Sequence, residues 1–476
     1  MFLYNTLTRK KEKFTSISKH KILFYHCGPT VYWIQHIGNM RGMVMGDLIR
    51  RSLQYLGYEV IQVINYTDVG QLTSDEDEGE DKMSKGAKRE GKTPQEIANK
   101  YIKLFEKDTK ALNILKPTYQ PRATKYIKPM QTMIQSLIDQ GYAYQTDLAV
   151  YYQVSKFPHY YDLSKQKPET QRTGAGKAKI TDPQKKAPAD FALWFFKKGL
   201  HKNALQTWDS PWGQGFPGWH LECSVFNKAL LADTIDIHMG GIEHISVHHT
   251  NEIAQSEAAN SQRLANYWLH NEHLLVDNQK MSKSTGNIYS LDEIIKKGYH
   301  PLDLRYFFLQ AHYRSQQNFT WQALKAAKEA RKRLLQEVFL LFKQIKITPD
   351  LEIQKKDIAK IWKQRFIKAL EDDFGIPQAL AITWQLLEAP EKAITKLNTI
   401  LDFDSVLGLL LQKNQPKKDT KIQDYEKEIT ALRKANKFKE ADVKKQELKR
   451  LGYIARDSRQ GTVAVPQTIL DYHSDE

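Results

Sequence analysis

Ile22-Leu23-Phe24-Tyr25, Cys27-Gly28-Pro29, His36-Ile37-Gly38-Asn39 and Val60-Ile61-Gln62-Val63-Ile64-Asn65 together decide the fold. The first run is a short apolar strand ending at a glycine-proline turn. A helix begins near Gly38, carries Leu48, Ile49, Leu53 and Leu56 at helical spacing, and is stopped by Gly57. The last run is a second strand. Strand, glycine-bearing turn, helix and strand make a βαβ unit, which predicts an α/β, Rossmann-like fold with a parallel sheet. Ligands of such sheets bind at the carboxyl ends of the strands, where Cys27, His36, Thr67 and Asp68 fall.

Outward from this unit the pattern changes twice. Between about 115 and 215 it loosens, and Lys165 to Pro188, rich in Lys, Gln, Thr and Pro, reads as an exposed loop inside an insertion. The α/β pattern returns with a helix from Trp219 to Leu231, a strand at Thr234-Ile235-Asp236-Ile237, a helix from about His249 to Asn260 and a strand at His273-Leu274-Leu275-Val276. Beyond about 316 the chain reads as nearly all helix, including Trp321 to Phe342, Ile358 to Leu370 and Ala379 to Leu387, which predicts a bundle. A basic tail from Lys413 to Lys449 alternates charges along one more helix. There is no internal repeat.

Composition bounds the function. The 476 residues are too many for one ordinary core, so two or three domains are expected. Apolar residues make up 41% and aromatics 11%, which argues against a disordered chain. Lys and Arg outnumber Asp and Glu by 71 to 55, and a net charge of +16 favours polyanionic partners. Two cysteines are too few for the disulfide framework of a secreted protein. The first residues, reaching Arg9-Lys10-Lys11 without an apolar run, do not read as a signal peptide, and no apolar run is long enough to span a bilayer. A cytoplasmic, reduced, soluble protein is expected.

Three groups of residues carry chemistry. In His36-Ile37-Gly38-Asn39, the missing side chain of Gly38 admits an adenine ring against the backbone. The helix start offers N–H groups to phosphate, and His36 can donate to charge developing there. Lys280-Met281-Ser282-Lys283-Ser284 follows a strand and a turn, and its lysines can neutralise a departing pyrophosphate. A near copy, Lys82-Met83-Ser84-Lys85-Gly86, sits beside the acidic run Asp75 to Asp81 and reads as a solvated surface loop. The third group is metal-like. Cys27 and Cys223 are the only thiols, and His248 and Glu252 lie at i, i+4 on one helix face. Two thiolates, an imidazole and a carboxylate suit zinc. Spacing leaves His249 as a rival to His248.

Taken together, these residues resemble the cysteinyl-tRNA synthetases, a family of class I aminoacyl-tRNA synthetases. The likeness is carried in order by Cys27-Gly28-Pro29-Thr30-Val31-Tyr32 with His36-Ile37-Gly38, by Asn65-Tyr66-Thr67-Asp68, and by Asp190-Phe191-Ala192-Leu193-Trp194. It continues through Ser210-Pro211-Trp212-Gly213, Gly218-Trp219-His220-Leu221-Glu222-Cys223-Ser224 and His248-His249-Thr250-Asn251-Glu252-Ile253-Ala254-Gln255-Ser256. Asp372-Asp373-Phe374, Ala441-Asp442 and Gly461-Thr462 resemble the anticodon-side domains.

The resemblance implies a class I catalytic domain over 1–315 with its insertion at roughly 115–215, a helical anticodon-side domain over 316–411, and a basic helical tail over 412–476. It implies ATP-dependent activation of L-cysteine and transfer to the 3′ end of tRNA(Cys), by a monomer. Zn2+ would be held by Cys27, Cys223, His248 and Glu252 and would select the substrate thiol, which a pocket cannot distinguish by size from the hydroxyl of serine. Mg2+ would accompany ATP. Catalytic roles fall to His36, Asn39, Lys280 and Lys283. ATP contacts fall to Gly38, Lys283 and Ser284, and cysteine contacts to Thr67, Trp219 and His238. One departure stands out. The family's first motif most often ends in a second histidine, and here it ends in Asn39, which keeps a donor but cannot carry charge. Two other readings are a cysteine ligase of the mycothiol type, which needs no anticodon-binding region, and a catalytically dead paralogue that binds RNA.

Overall fold

The computed structural model describes residues 1–72, 80–166, 182–281, 286–345, 357–416, 419–458 and 461–467. The chain divides into two compact units. One comprises Met1–Leu291 with Tyr313–Asn318, and the other Asp292–His312 with Phe319–Glu476.

The first unit is built on the predicted βαβ. Strand β1 (Lys21–His26) buries Ile22, Phe24 and Tyr25. Helix α1 (Ile37–Tyr55) follows, and strand β2 (Glu59–Ile64) pairs parallel with β1 from Lys21↔Glu59 to His26↔Ile64. On α1 the predicted apolar positions Leu48, Ile49 and Leu53 are buried, each contributing about 2 kcal/mol by burial. Helices α2 (Lys82–Glu90) and α3 (Pro94–Ala111) come next. After the insertion come α4 (His220–Leu230), β3 (Ile235–Gly241), α5 (His248–Asn260) and β4 (Ala265–Asn271). The sheet runs β4-β3-β1-β2 and every pairing is parallel.

Four details depart from the sequence expectations. Strand β4 was not foreseen. Ala-Asn-Tyr-Trp-Leu-His-Asn mixes polar and apolar residues without clean alternation, because both faces of this parallel edge strand are covered. The insertion holds a four-stranded antiparallel sheet of Ala143–Gln145, Ala149–Tyr152, Phe191–Phe196 and Gly215–Pro217. Every residue of Phe191–Phe196 is buried there, so the run is a core strand. Residues 167–181, most of the expected loop, lie outside the described residues.

The Lys82 copy is not a solvated loop. Asp81 caps α2 by accepting from Ser84 N at 2.8 Å, and Met83, Ser84 and Ala87 turn inward.

The second unit contains the long helix Trp321–Ile345 with Pro301–Leu309, Lys360–Glu371, Ile376–Glu388 and Ala393–Leu407. The basic tail, expected as one helix, is two. Thr420–Lys434 and Phe438–Arg450 are separated at Asn436, which takes a left-handed φ of 57°. A hairpin, Tyr453–Ser458 with Gly461–Pro466, closes the tail. Ile422, Ile429, Ala441, Leu448 and Ala464 form its small core. Arg456 donates to Glu337 and Gln336, and Lys343 to Glu426, tying it to Trp321–Ile345.

Candidate functional site

A cleft of about 640 Å³ opens at the carboxyl ends of the parallel strands, as the βαβ reading requires. Cys27, His36, Gly38, Asn39, Thr67, Trp219, Cys223, His248, Lys280 and Met281 line it. His238 and Glu252 are fully buried beneath them, and Lys283 and Ser284 lie outside the described residues.

The first motif is the N-terminus of α1. His36 Nδ1 accepts from Asn39 N at 3.2 Å, while Asn39 Oδ1 accepts from His36 N at 3.2 Å. This reciprocal pair is a capping box. It gives Asn39 a structural task that a short amide performs directly. Because Nδ1 accepts, the neutral His36 ring carries its proton on Nε2. Burial lowers the pKa of His36 and favours that neutral donor.

The second motif is folded against the first. Gln279–Lys280 pairs antiparallel with Leu275–Val276. Met281 then lays its methyl beside Gly38, where a β-carbon would stand 2.2 Å from Met281 Cε. Downstream, Ile37 N donates to Tyr289 O at 2.8 Å, and His36 bridges to Ser290. Two sequence motifs more than two hundred residues apart thus form one wall.

The metal-like group meets at the floor. Cys27 follows β1, Cys223 lies in the first turn of α4, and His248 and Glu252 lie one turn apart on α5. His248 Nε2 is 2.9 Å from Glu252 Oε1 and 3.5 Å from Cys223 Sγ, and Cys27 Sγ is 3.8 Å from Glu252 Oε1. The four donor atoms lie within 4.8 Å of one another, and all four residues are buried. Two thiols, one imidazole and one carboxylate converging on one point match a zinc site in chemistry and number. A second set shares two members: Cys27, His238, His249 and Glu252 are equally close together. Only the first set holds both thiols.

The four groups shift one another's protonation. Burial would raise the Glu252 carboxyl, but His238 and His248 hold it well below the usual carboxylate range. Burial would raise Cys223 too, yet the bond from Cys27 and the charge of His248 bring it down to about 6. Cys27 is pushed up, first by burial and then by Cys223 and Glu252. Burial opposes the charge of His248, but Glu252 and Cys223 raise its pKa to about 10.

Further contacts surround the floor, and His220, Glu222 and His270 among them escaped the sequence reading. His220 Nδ1 lies 2.9 Å from His248 Nδ1. His249 Nε2 lies 3.2 Å from Cys27 Sγ, and its Nδ1 lies 2.7 Å from His270 Nε2. His270 Nδ1 in turn lies 2.9 Å from Thr6 Oγ1. Trp219 stacks on His248 with ring centroids 4.0 Å apart. Glu222, whose carboxyl is raised by burial against the opposing effect of Thr67, accepts from the Thr67 hydroxyl at 2.7 Å. These contacts join distant segments, so no local spacing marks them. Lys82 also lines the cleft.

The cleft, its sheet and its two motifs define a class of protein. The family description "tRNA synthetases class I (C) catalytic domain" matches residues 13–329. Among solved structures, methionyl-tRNA synthetase of Mycobacterium tuberculosis with methionyl-adenylate aligns with a TM-score of 0.54 at 14% identity, over 83% of this chain and 91% of that one. The LeuRS of Agrobacterium radiobacter, in a ternary complex with tRNA and LeuAMS, aligns with a TM-score of 0.60 at 10% identity, over 84% and 86%. Relatives narrow the class. The cysteine–tRNA ligase of Treponema denticola is 42% identical, covering 96% of this chain and 97% of that protein. That of Caldicellulosiruptor saccharolyticus is 41% identical, covering 97% and 99%. The chain belongs to the class I cysteine–tRNA ligase family.

Proposed function

We propose that the chain activates L-cysteine with ATP and transfers it to the 3′ end of tRNA(Cys). The observation that carries this reading is the convergence of both thiols, His248 and Glu252 in the same cleft as the two motif segments.

In the first step a cysteine carboxylate oxygen bonds to the α-phosphorus of ATP. The bond from that phosphorus to the β-bridging oxygen breaks, and pyrophosphate leaves. No protein nucleophile is needed, since positioning and electrostatics carry such displacements. His36 Nε2–H donates to the phosphates, with Asn39 fixing its ring through the capping box. Gly38 leaves room for the nucleotide, Lys280 and Lys283 offset the charge of the leaving group, and Ser284 adds a donor. In the second step a ribose hydroxyl of the terminal nucleotide, the 2′-OH in class I chemistry, attacks the carbonyl carbon and AMP departs.

Cys27, Cys223, His248 and Glu252 would hold zinc. A zinc ion there supplies a soft centre that takes a thiolate in preference to a hydroxyl. Thr67 and His238 hold the polar end of cysteine, and Trp219 walls the pocket. Mg2+ accompanies ATP, the protein works as a monomer in the cytoplasm, and the helical regions 316–411 and 412–476 hold the tRNA. Among the described residues no helix is long and apolar enough to cross a membrane. Relatives that match along the helical region as well as the catalytic one speak against a mycothiol-type ligase.

The test is cysteine-dependent ATP–pyrophosphate exchange. Wild type should exchange with cysteine and hardly with serine, and Cys223→Ser should lose at least about a hundredfold of that preference, roughly 2.7 kcal/mol. Unchanged preference in the variant would remove the thiol-selecting role of the floor, and absence of exchange in zinc-loaded wild type would favour the dead paralogue.

A further inference from the structure

Glu222 is fully buried beside the cleft and touches none of the reacting groups named above. Its Oε2 accepts from the Thr67 hydroxyl at 2.7 Å, and its Oε1 has no hydrogen-bond partner among the described residues. A buried carboxyl held this way needs a reason.

Proton bookkeeping supplies it. A threonine hydroxyl has one proton and two lone pairs. The proton of Thr67 goes to Glu222 Oε2, which accepts whether the carboxyl is ionised or carries its own proton on Oε1. One lone pair receives Asn65 Nδ2–H at 3.2 Å. The Asn65 amide cannot turn round without loss, because its Oδ1 accepts from Gly28 N at 2.8 Å. Thr67 lines the cleft, so what remains there is a lone pair. The hydroxyl is therefore an acceptor, selective for an N–H donor and unfavourable to a carboxylate.

We propose that Glu222 is a positioning residue that locks Thr67 as the acceptor for the α-ammonium of the bound amino acid. This rests on the cysteine reading above. It places recognition of the two ends of the substrate on consecutive residues of α4, with Cys223 facing the thiol and Glu222 acting through Thr67 on the ammonium. Without Glu222, the hydroxyl proton turns toward the cleft and opposes the ammonium.

The experiment compares two ligands by calorimetry on the full, zinc-loaded chain: L-cysteine, and 3-mercaptopropionate, which has the thiol and the carboxylate but no ammonium. Glu222→Met keeps the length and removes the acceptor, Glu222→Ala serves if that variant does not fold, and Thr67→Val removes the hydroxyl. Zinc content and melting temperature are recorded for each. Glu222→Met and Thr67→Val should each weaken cysteine at least tenfold while leaving 3-mercaptopropionate within twofold. Their double variant should be no weaker than either single. Glu222→Gln and Thr67→Ser, which keep the acceptor and the hydroxyl, should stay within threefold of wild type. Equal weakening of both ligands, or unchanged cysteine binding when the acceptor is removed, would overturn the proposal and leave the cysteine reading standing. Wild type that binds neither ligand would remove that reading as well.

Discussion

Lys-Met-Ser-Lys occurs twice in this chain, at 82 and at 280, and the described residues of the two copies take different structures. At 82 it is the first turn of a helix, capped by Asp81 and anchored by buried Met83. At 280 the lysine ends a short strand paired with Leu275, and Met281 covers the helix start at Gly38. Four identical letters carry no function by themselves. The neighbours decide: after the capping Asp81 the letters begin a helix whose Lys82 also reaches the cleft, while a strand brings Lys280 and Met281 there.

The comparison can be broken by exchange measurements. The largest effect should come from Lys283→Ala, lowering kcat for cysteine-dependent pyrophosphate exchange by about a hundredfold, near 2.7 kcal/mol, the scale for losing one preorganised charge contact. The matching Lys85→Ala, exposed in the other copy, should stay within about twofold, like an ordinary surface change. Equal losses would make the copies equivalent and refute the contrast.

A middle-sized effect sharpens the role of Met281. Gly38→Ala puts a methyl against the Met281 side chain. Exchange should fall about tenfold, and Met281→Ala in the same chain should recover part of the loss, since contacting residues couple by about 0.5–3 kcal/mol. An additive double variant would show that the two do not meet in the working enzyme. The smallest effect belongs to Asp81→Ala, which should weaken α2 locally by about 1 kcal/mol. Faster amide hydrogen exchange over residues 82–90, with pyrophosphate exchange unchanged, is the expected reading.

The same contrast explains what was legible in the sequence. The β1-α1-β2 unit was readable because its apolar periods, Gly57 and the two strand runs are local signals. The Cys27, Cys223, His248 and Glu252 group was legible as a set of residue types, with the i, i+4 pair as its one geometric clue. Phe191–Phe196 and β4 were missed because strands covered on both faces do not alternate. Two histidines around the floor were invisible for another reason. His220 and His270 come from α4 and β4, and only the fold brings them against His248 and His249. Asn39 was legible as a departure, but the capping box that employs it is a property of the folded backbone.

The C-terminal tail has a consequence for how the protein is made. Its core is five side chains, two of them alanine, closed only when the Gly461–Pro466 strand pairs with Tyr453–Ser458. So little buried surface cannot sustain an independent domain. The tail borrows stability from Trp321–Ile345 through Arg456, Lys343 and their partners. That helix leaves the ribosome about a hundred residues earlier and waits for its cover. A chain released before Thr462 would therefore carry a complete cleft and an unfinished tail, with loose helices open to proteases. The pairing of Gly461–Pro466 with Tyr453–Ser458 therefore closes this core only after every residue of the cleft has been made.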